Sequence, residues 1–141
     1  MSTKSQTKSG ILHFSKRVDY GLLILGELVK EPASLRKIAE RNGISFYFLQ
    51  RVAADLRKAN LIEAVRGQGG GYKLAKSSGH VSLKQIIEAI EGPMYVMPCI
   101  AHGSNCSNAN KCSVRSGLGM VNNLIVDAFE HVSLNNLVNP Y

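Results

Sequence analysis

Asn42-Gly43 splits a stretch in which apolar residues step by three and four on either side. Before it, "SLRKIAERNG" (residues 34–43) puts Leu35, Ile38 and Ala39 on one side of a helix that Ser34 can cap. After it, Ser45 can cap "SFYFLQRVAADLRKAN" (residues 45–60), whose apolar face is Leu49, Val52, Ala53 and Leu56. Two short amphipathic helices joined by a tight Gly-containing turn fold together as a helix-turn-helix. Upstream, Val18, Leu22, Leu25, Leu28 and Val29 predict a further helix over Lys16–Glu31, stopped by Pro32.

Two strand-like runs follow, "LIEAVRG" and "GYKLAK", around a glycine-rich centre. "GQGGGY" lacks the last Gly of a G-x-G-x-x-G phosphate cradle, and no G-K-[ST] follows it. A hairpin tip, where positive φ is needed, is the better reading. A hairpin directly after a helix-turn-helix is a winged helix. "VSLKQIIEAIEG" is a fourth helix, with Leu83, Ile86, Ile87 and Ile90 on one side and Gly92-Pro93 at its end. Further on, Val114, Leu118, Val121, Ile125, Ala128 and Val132 alternate steps of four and three along one long helix. That spacing suits pairing with a twin helix, and packing on the chain's own domain is the alternative. The expected fold is therefore mainly α with a small β-wing. Residues 13–92 form the winged helix-turn-helix, 93–112 a cysteine-rich loop, and 113–141 a dimerisation helix with a C-terminal tail. Residues 1–12 are expected to be a disordered N-terminus.

Charge divides the chain just after the predicted wing. Residues 1–76 carry 14 Lys and Arg against 6 Asp and Glu, whereas residues 77–141 carry 3 against 4. A basic module of this kind meets a polyanion, here double-stranded DNA. On the second predicted helix of the unit, the side away from the core carries Tyr47, Gln50, Arg51, Ala54 and Lys58. Arg51 can donate a bidentate pair to guanine and Gln50 to adenine, while Tyr47 can reach a thymine methyl or a phosphate. Ser45 opens that helix, and Arg66, Gly67, Gln68 and Lys73 lie about the wing tip, where the main chain can approach phosphates. Taken singly, Arg57 and Lys58 read as solvated surface charges. For Arg51 and Arg66, DNA contact is the better reading.

All three cysteines fall in "CIAHGSNCSNANKC", as Cys99, Cys106 and Cys112. The longest apolar run, "GLLILG", is too short to cross a bilayer, and the polar N-terminus shows no secretory h-region. Together with an odd cysteine count, these features point to the cytoplasm, where thiols stay reduced or bind metal. The intervals C-x6-C-x5-C are wider than the pairs of a structural zinc site. A reactive thiol is open to activation by Lys111 or His102. An iron–sulfur cluster suits a long loop of small polar residues. Spacing alone leaves the cluster level with zinc and reactive thiols together. No Ser/His/Asp or paired-carboxylate constellation indicates an enzyme, and no small-molecule substrate or membrane partner is evident.

In combination, "KRVDYGL", "VRGQGGGYKLAK", "EAIEGP" and a three-cysteine loop before a long helix resemble one family from about Phe14 to Val138. It is the dimeric winged-helix iron–sulfur regulators of bacteria, which include IscR, NsrR and the regulators of the SUF cluster-assembly system. The resemblance implies a homodimer on a pseudo-palindromic operator, with Cys99, Cys106 and Cys112 holding a cluster, for which 4Fe–4S is the preferred form and 2Fe–2S the alternative. IscR-type members place a histidine three residues after the last cysteine, where this chain has Arg115. NsrR-like members carry an aspartate just before the segment matching "YGL", where this chain has Asp19. By resemblance, then, Asp19 of the partner subunit is the expected fourth ligand, with His102 and His13 as rivals. The implied role is a regulator sensing iron–sulfur supply, nitric oxide or redox state. Rival readings are a zinc- or thiol-based repressor of the same fold and, from another class, an iron–sulfur carrier or electron-transfer protein.

Overall fold

A computed structural model describes residues 13–67, 70–101, 107–108 and 110–140. The N-terminal segment expected to be disordered lies outside the described residues. Helix α1 (Lys16–Lys30) begins at Ser15, whose hydroxyl accepts from the Val18 N–H at 3.2 Å. Helices α2 (Leu35–Asn42) and α3 (Phe46–Lys58) begin on Ser34 and Ser45 in the same way. Between them Gly43 takes φ 63° and its N–H caps α2 through the Ala39 and Glu40 carbonyls, a left-handed conformation that glycine enters without a side-chain penalty. The predicted helix-turn-helix is therefore present with its expected faces. Leu35, Ile38 and Ala39 of α2, and Leu49, Val52, Ala53 and Leu56 of α3, are all buried.

Strands β1 (Ile62–Val65) and β2 (Gly71–Leu74) pair antiparallel, with Ile62 opposite Leu74 and Val65 opposite Gly71. A third segment joins them: Ala33 and Tyr72 exchange both main-chain hydrogen bonds, at 3.1 and 2.9 Å. This bridge fixes the wing to the start of α2, and so sets where the wing tip stands relative to α3. Helix α4 (Leu83–Glu91) buries the four residues expected, Leu83, Ile86, Ile87 and Ile90, against α1 and α3.

The long helix α5 (Arg115–His131) departs from the expected seam. Val132 is its C-cap, and the Val132 carbonyl accepts from the Leu83 N–H at 2.8 Å. A second short helix, α6 (Leu134–Val138), starts there from a capping box between Ser133 and Asn136 and buries Leu134 in the core. Val132 and Phe129 pack against the core, and Leu118 and Ile125 are half-buried. The apolar side left open comprises Val114, Met120, Val121 and Leu124, two of which lie off the expected seam. The periodic seam is shared between two jobs, because α5 must cover its own domain as well as present an outer face. Among the described residues no helix is long and apolar enough to cross a membrane.

Gly71 is the position where the wing tolerates least. Its φ is +155°, and a Cβ there would sit 2.8 Å from the Ala33 carbonyl oxygen. Gly71→Ala should lower stability by about 1–3 kcal/mol, through backbone strain and loss of the Ala33–Tyr72 bridge. A urea titration checks this: the midpoint should fall with the slope unchanged.

Candidate nucleic-acid interface and cysteine loop

Because α3 turns its apolar residues inward, its opposite side is committed to solvent. Tyr47 is 78% exposed, and Gln50, Arg51, Ala54 and Lys58 are exposed beside it. Ser45 accepts from the Phe48 N–H at 3.4 Å, which leaves its own hydroxyl proton available to an outside acceptor. The N-terminal end of α3 is braced on both sides. The Phe48 ring meets Tyr20 edge-on at 5.0 Å, and the Arg36 guanidinium lies 4.5 Å from the Phe46 ring centroid. Arg36 and Lys37, exposed at the first turn of α2, extend the basic surface towards the wing. Pattern reading passed over this pair, although their position just after a capping serine marked them as first-turn residues of α2.

On the wing, Arg66 and Gly67 are exposed, and Gly67 has φ 138°. Gln68, expected beside them, lies outside the described residues. Lys73 has a different setting from the one expected. It pairs across the strands with Glu63, its register partner, at 3.2 Å, and both side chains are about half exposed. A phosphate reached by Lys73 would have to compete with that carboxylate. Arg51, by contrast, has no acidic partner among the described residues. Its five N–H donors are available to a base edge.

The cysteine loop starts from a short 3-10 turn, Pro98–Ile100, which packs against α5 and holds Cys99 half-buried. Just before it, the Val96 N–H donates to Asn122 Oδ1 of α5 at 2.8 Å. Cys112, also half-buried, stands three residues before the start of α5. Cys106 and His102 lie outside the described residues. Arg115 is the first residue of α5.

Asp19 projects from the first turn of α1, with a side chain 65% exposed and Lys16 at 3.9 Å. It lines an open groove of about 470 Å³ together with His13, Phe14, Ser15, Lys16 and Leu22. Two of the rival fourth ligands, Asp19 and His13, thus share one groove. Among the described residues no three His, Cys, Asp or Glu side chains converge as a metal site within one chain. The donors do fit a cluster chemically. Thiolates are the soft ligands iron–sulfur clusters take, and half-buried positions shield a bound group from bulk water.

Comparison with known proteins agrees with the basic face. Residues 14–140 match the family profile Rrf2, described as "Iron-dependent Transcriptional regulator". A putative rrf2-like HTH-type transcriptional regulator of Rhodobacter capsulatus is 30% identical over 113 residues, covering 72% of this chain and 75% of that protein. The HTH-type transcriptional regulator IscR of Cronobacter sakazakii is 32% identical over 108 residues, covering 77% of this chain and 66% of its own length. Among solved structures, CymR, the global cysteine regulator of B. subtilis, superposes with a TM-score of 0.72 at 25% identity, covering 92% of this chain and 98% of that one. IscR of T. potens superposes with a TM-score of 0.70 at 28% identity, covering 92% and 88%.

The interface predicts how DNA affinity responds to salt and substitution. Log affinity should fall with log salt by about 0.9 per phosphate neutralised. Arg51→Ala should cost about 1–3 kcal/mol at one base and relax preference there. Arg66→Ala should weaken specific and random DNA alike. Fluorescence-anisotropy titrations across a salt series separate the two effects.

Proposed function

The chain belongs to the Rrf2 family of transcriptional regulators, and on that premise we propose that it is a cytoplasmic homodimer that binds a pseudo-palindromic operator and senses through an iron–sulfur cluster. Membership makes it a DNA-binding regulator rather than an enzyme. The winged helix supplies the grip: α3 in the major groove, the wing and the first turn of α2 on the backbone. The uncovered apolar side of α5, with Met120 and Leu124 each 62% exposed, supports a second copy there.

One observation carries the cluster reading. Every cysteine of the chain lies in the single loop that leads into α5, and the two described are half-buried rather than displayed on the surface. In this reading Cys99, Cys106 and Cys112 hold the cluster, and Asp19 of the partner subunit completes it. His102 and His13 are the alternatives. Bound there, the cluster would supply iron that reacts with nitric oxide or oxygen and responds to iron–sulfur supply. What the chain itself contributes is mechanical. The Val96–Asn122 hydrogen bond ties the loop to α5, and Asp19 stands on the helix that underlies α3. Through Asp19 of the partner subunit, a change in the loop is therefore one packed layer from the reading face of that subunit.

A second reading has its own support. The chain is as like the cysteine regulator CymR in fold as it is like IscR, so a thiol-based repressor on the same fold is the second reading, and zinc is the other metal that thiolates hold. The rival electron carrier, by contrast, has no use for an exposed basic reading face.

Two measurements separate these readings. Anaerobically purified protein should be brown, contain iron and acid-labile sulfide, and bleach in oxygen or nitric oxide. Replacing Cys99, Cys106 or Cys112 with Ala should remove that absorption and leave a folded dimer. Stoichiometric zinc without sulfide would move the assignment to the second reading. Asp19→Ala should still take up iron and sulfide but with a shifted spectrum and altered DNA response. If His13→Ala or His102→Ala shifts the spectrum instead, the fourth ligand is a histidine.

A further inference from the structure

Helix α3 carries one carboxylate on the flank of its reading face. Asp55 follows Arg51 by one turn of α3, where two side chains on one helix come within ion-pair reach. It is also three residues before Lys58. Paired with either, it would spend a cation meant for DNA. The structure makes neither pair. Arg17, from the first turn of α1, takes the Asp55 carboxylate with its Nη2, and Arg51 and Lys58 have no acidic partner among the described residues.

The position of Arg17 follows from packing. Val18, its neighbour, is buried, and Gly21, one turn further on, brings α1 against α3 and α4. A Cβ at Gly21 would stand 3.5 Å from Val52 Cγ1 of α3 and collide with Ile90 Cδ1 of α4. The closely seated helix carries Arg17 alongside α3, opposite Asp55. The two side chains remain 45% and 33% exposed, and a pair this open adds little to stability. Its consequence lies in where charge is held.

We propose that Arg17 is a positioning residue for DNA recognition: it holds the Asp55 carboxylate against α1, cancels its charge beside the phosphates, and keeps Arg51 available to a base. This rests on α3 being the reading helix. Arg17 itself need not touch DNA.

The test uses the full-length protein, a duplex that the wild-type protein selects from a random-sequence pool, and an unrelated duplex of equal length. Arg17→Ala should reduce preference for the selected duplex by roughly fivefold, a part of what removal of Arg51 costs in discrimination. Arg17→Lys should keep most of the preference, because an ammonium still answers the carboxylate. In an Asp55→Asn background, Arg17→Ala should bring no further loss beyond about twofold, since no carboxylate is left to restrain. Equal losses in both backgrounds would mean that Arg17 grips DNA directly or acts on folding, and the proposal would be wrong. Circular dichroism monitors folding, and Arg17→Gln replaces Arg17→Ala in both backgrounds if the alanine protein unfolds. If the wild type selects no duplex, or Arg51→Ala leaves preference intact, the reading helix itself is misassigned and this proposal falls with it. If Arg51→Ala abolishes preference while Arg17→Ala preserves it, only the proposal for Arg17 fails.

Discussion

Helix α1 lies closest to α3 and α4 at Gly21, where an added Cβ would touch Val52 Cγ1 of α3 and displace the Ile90 Cδ1 methyl of α4. Gly21 is buried, Val18 lies one turn before it, and Leu25 and Leu28 continue the same inner face with 0% and 4% exposure. Against that face rest α3, α4, α6 and the second strand of the wing. The functional elements are therefore not independent. The reading helix, the wing and the helix that leads to the cysteine loop all take their positions from α1. Interior packing at near-crystalline density resists small adjustments, so a displacement of α1 is felt by all of them.

Polar contacts at the edges of this core show how the two halves of the chain communicate. Ser15, the cap of α1, also donates to Glu91 Oε1 at the end of α4, immediately before the cysteine loop begins. Phe14 meets Phe129 of α5 edge-on at 6.1 Å. Val96 is held by Asn122. The start of α1, the end of α4 and the long helix α5 thus meet in one region, next to the groove that contains Asp19 and His13. Each of these contacts is worth little as stability. They matter because they place the loop next to the helix on which the reading head is built.

The relatives share this framework while differing in name between IscR and the cysteine regulator CymR. A winged helix braced by α1 is indifferent to what occupies the loop, so fold likeness cannot choose between a cluster and a thiol. That choice falls on the donor set. Here the set is three cysteines in one loop, and a carboxylate and an imidazole sharing a groove on α1.

Much of the architecture was legible in the residues because the signals are local. Ser34, Ser45 and Asn42-Gly43 mark helix ends through hydrogen bonds made within a few residues, and burial follows the three-and-four rhythm of Ile38, Leu49, Val52 and Ile86. The glycines of the wing disclosed a hairpin by the same local logic. Helix α6 was missed because its capping box uses Asn136 where Glu or Gln is the usual cue, and the helix is only five residues long. The division of α5 between its own core and an outer face was not legible, since one period describes both sides equally well. Lys73 was assigned to DNA without sight of Glu63, which becomes its neighbour only when the strands pair in register. Arg17 and Asp55 are 38 residues apart, and nothing local relates them. By itself the sequence determined which helices and strands form, which faces are apolar, and which thiols share a loop. The tertiary structure alone decided which charges are spent inside the molecule and which remain for DNA, because Arg17 reaches Asp55 only where α1 crosses α3, Lys73 reaches Glu63 only where the strands pair in register, and packing sets both.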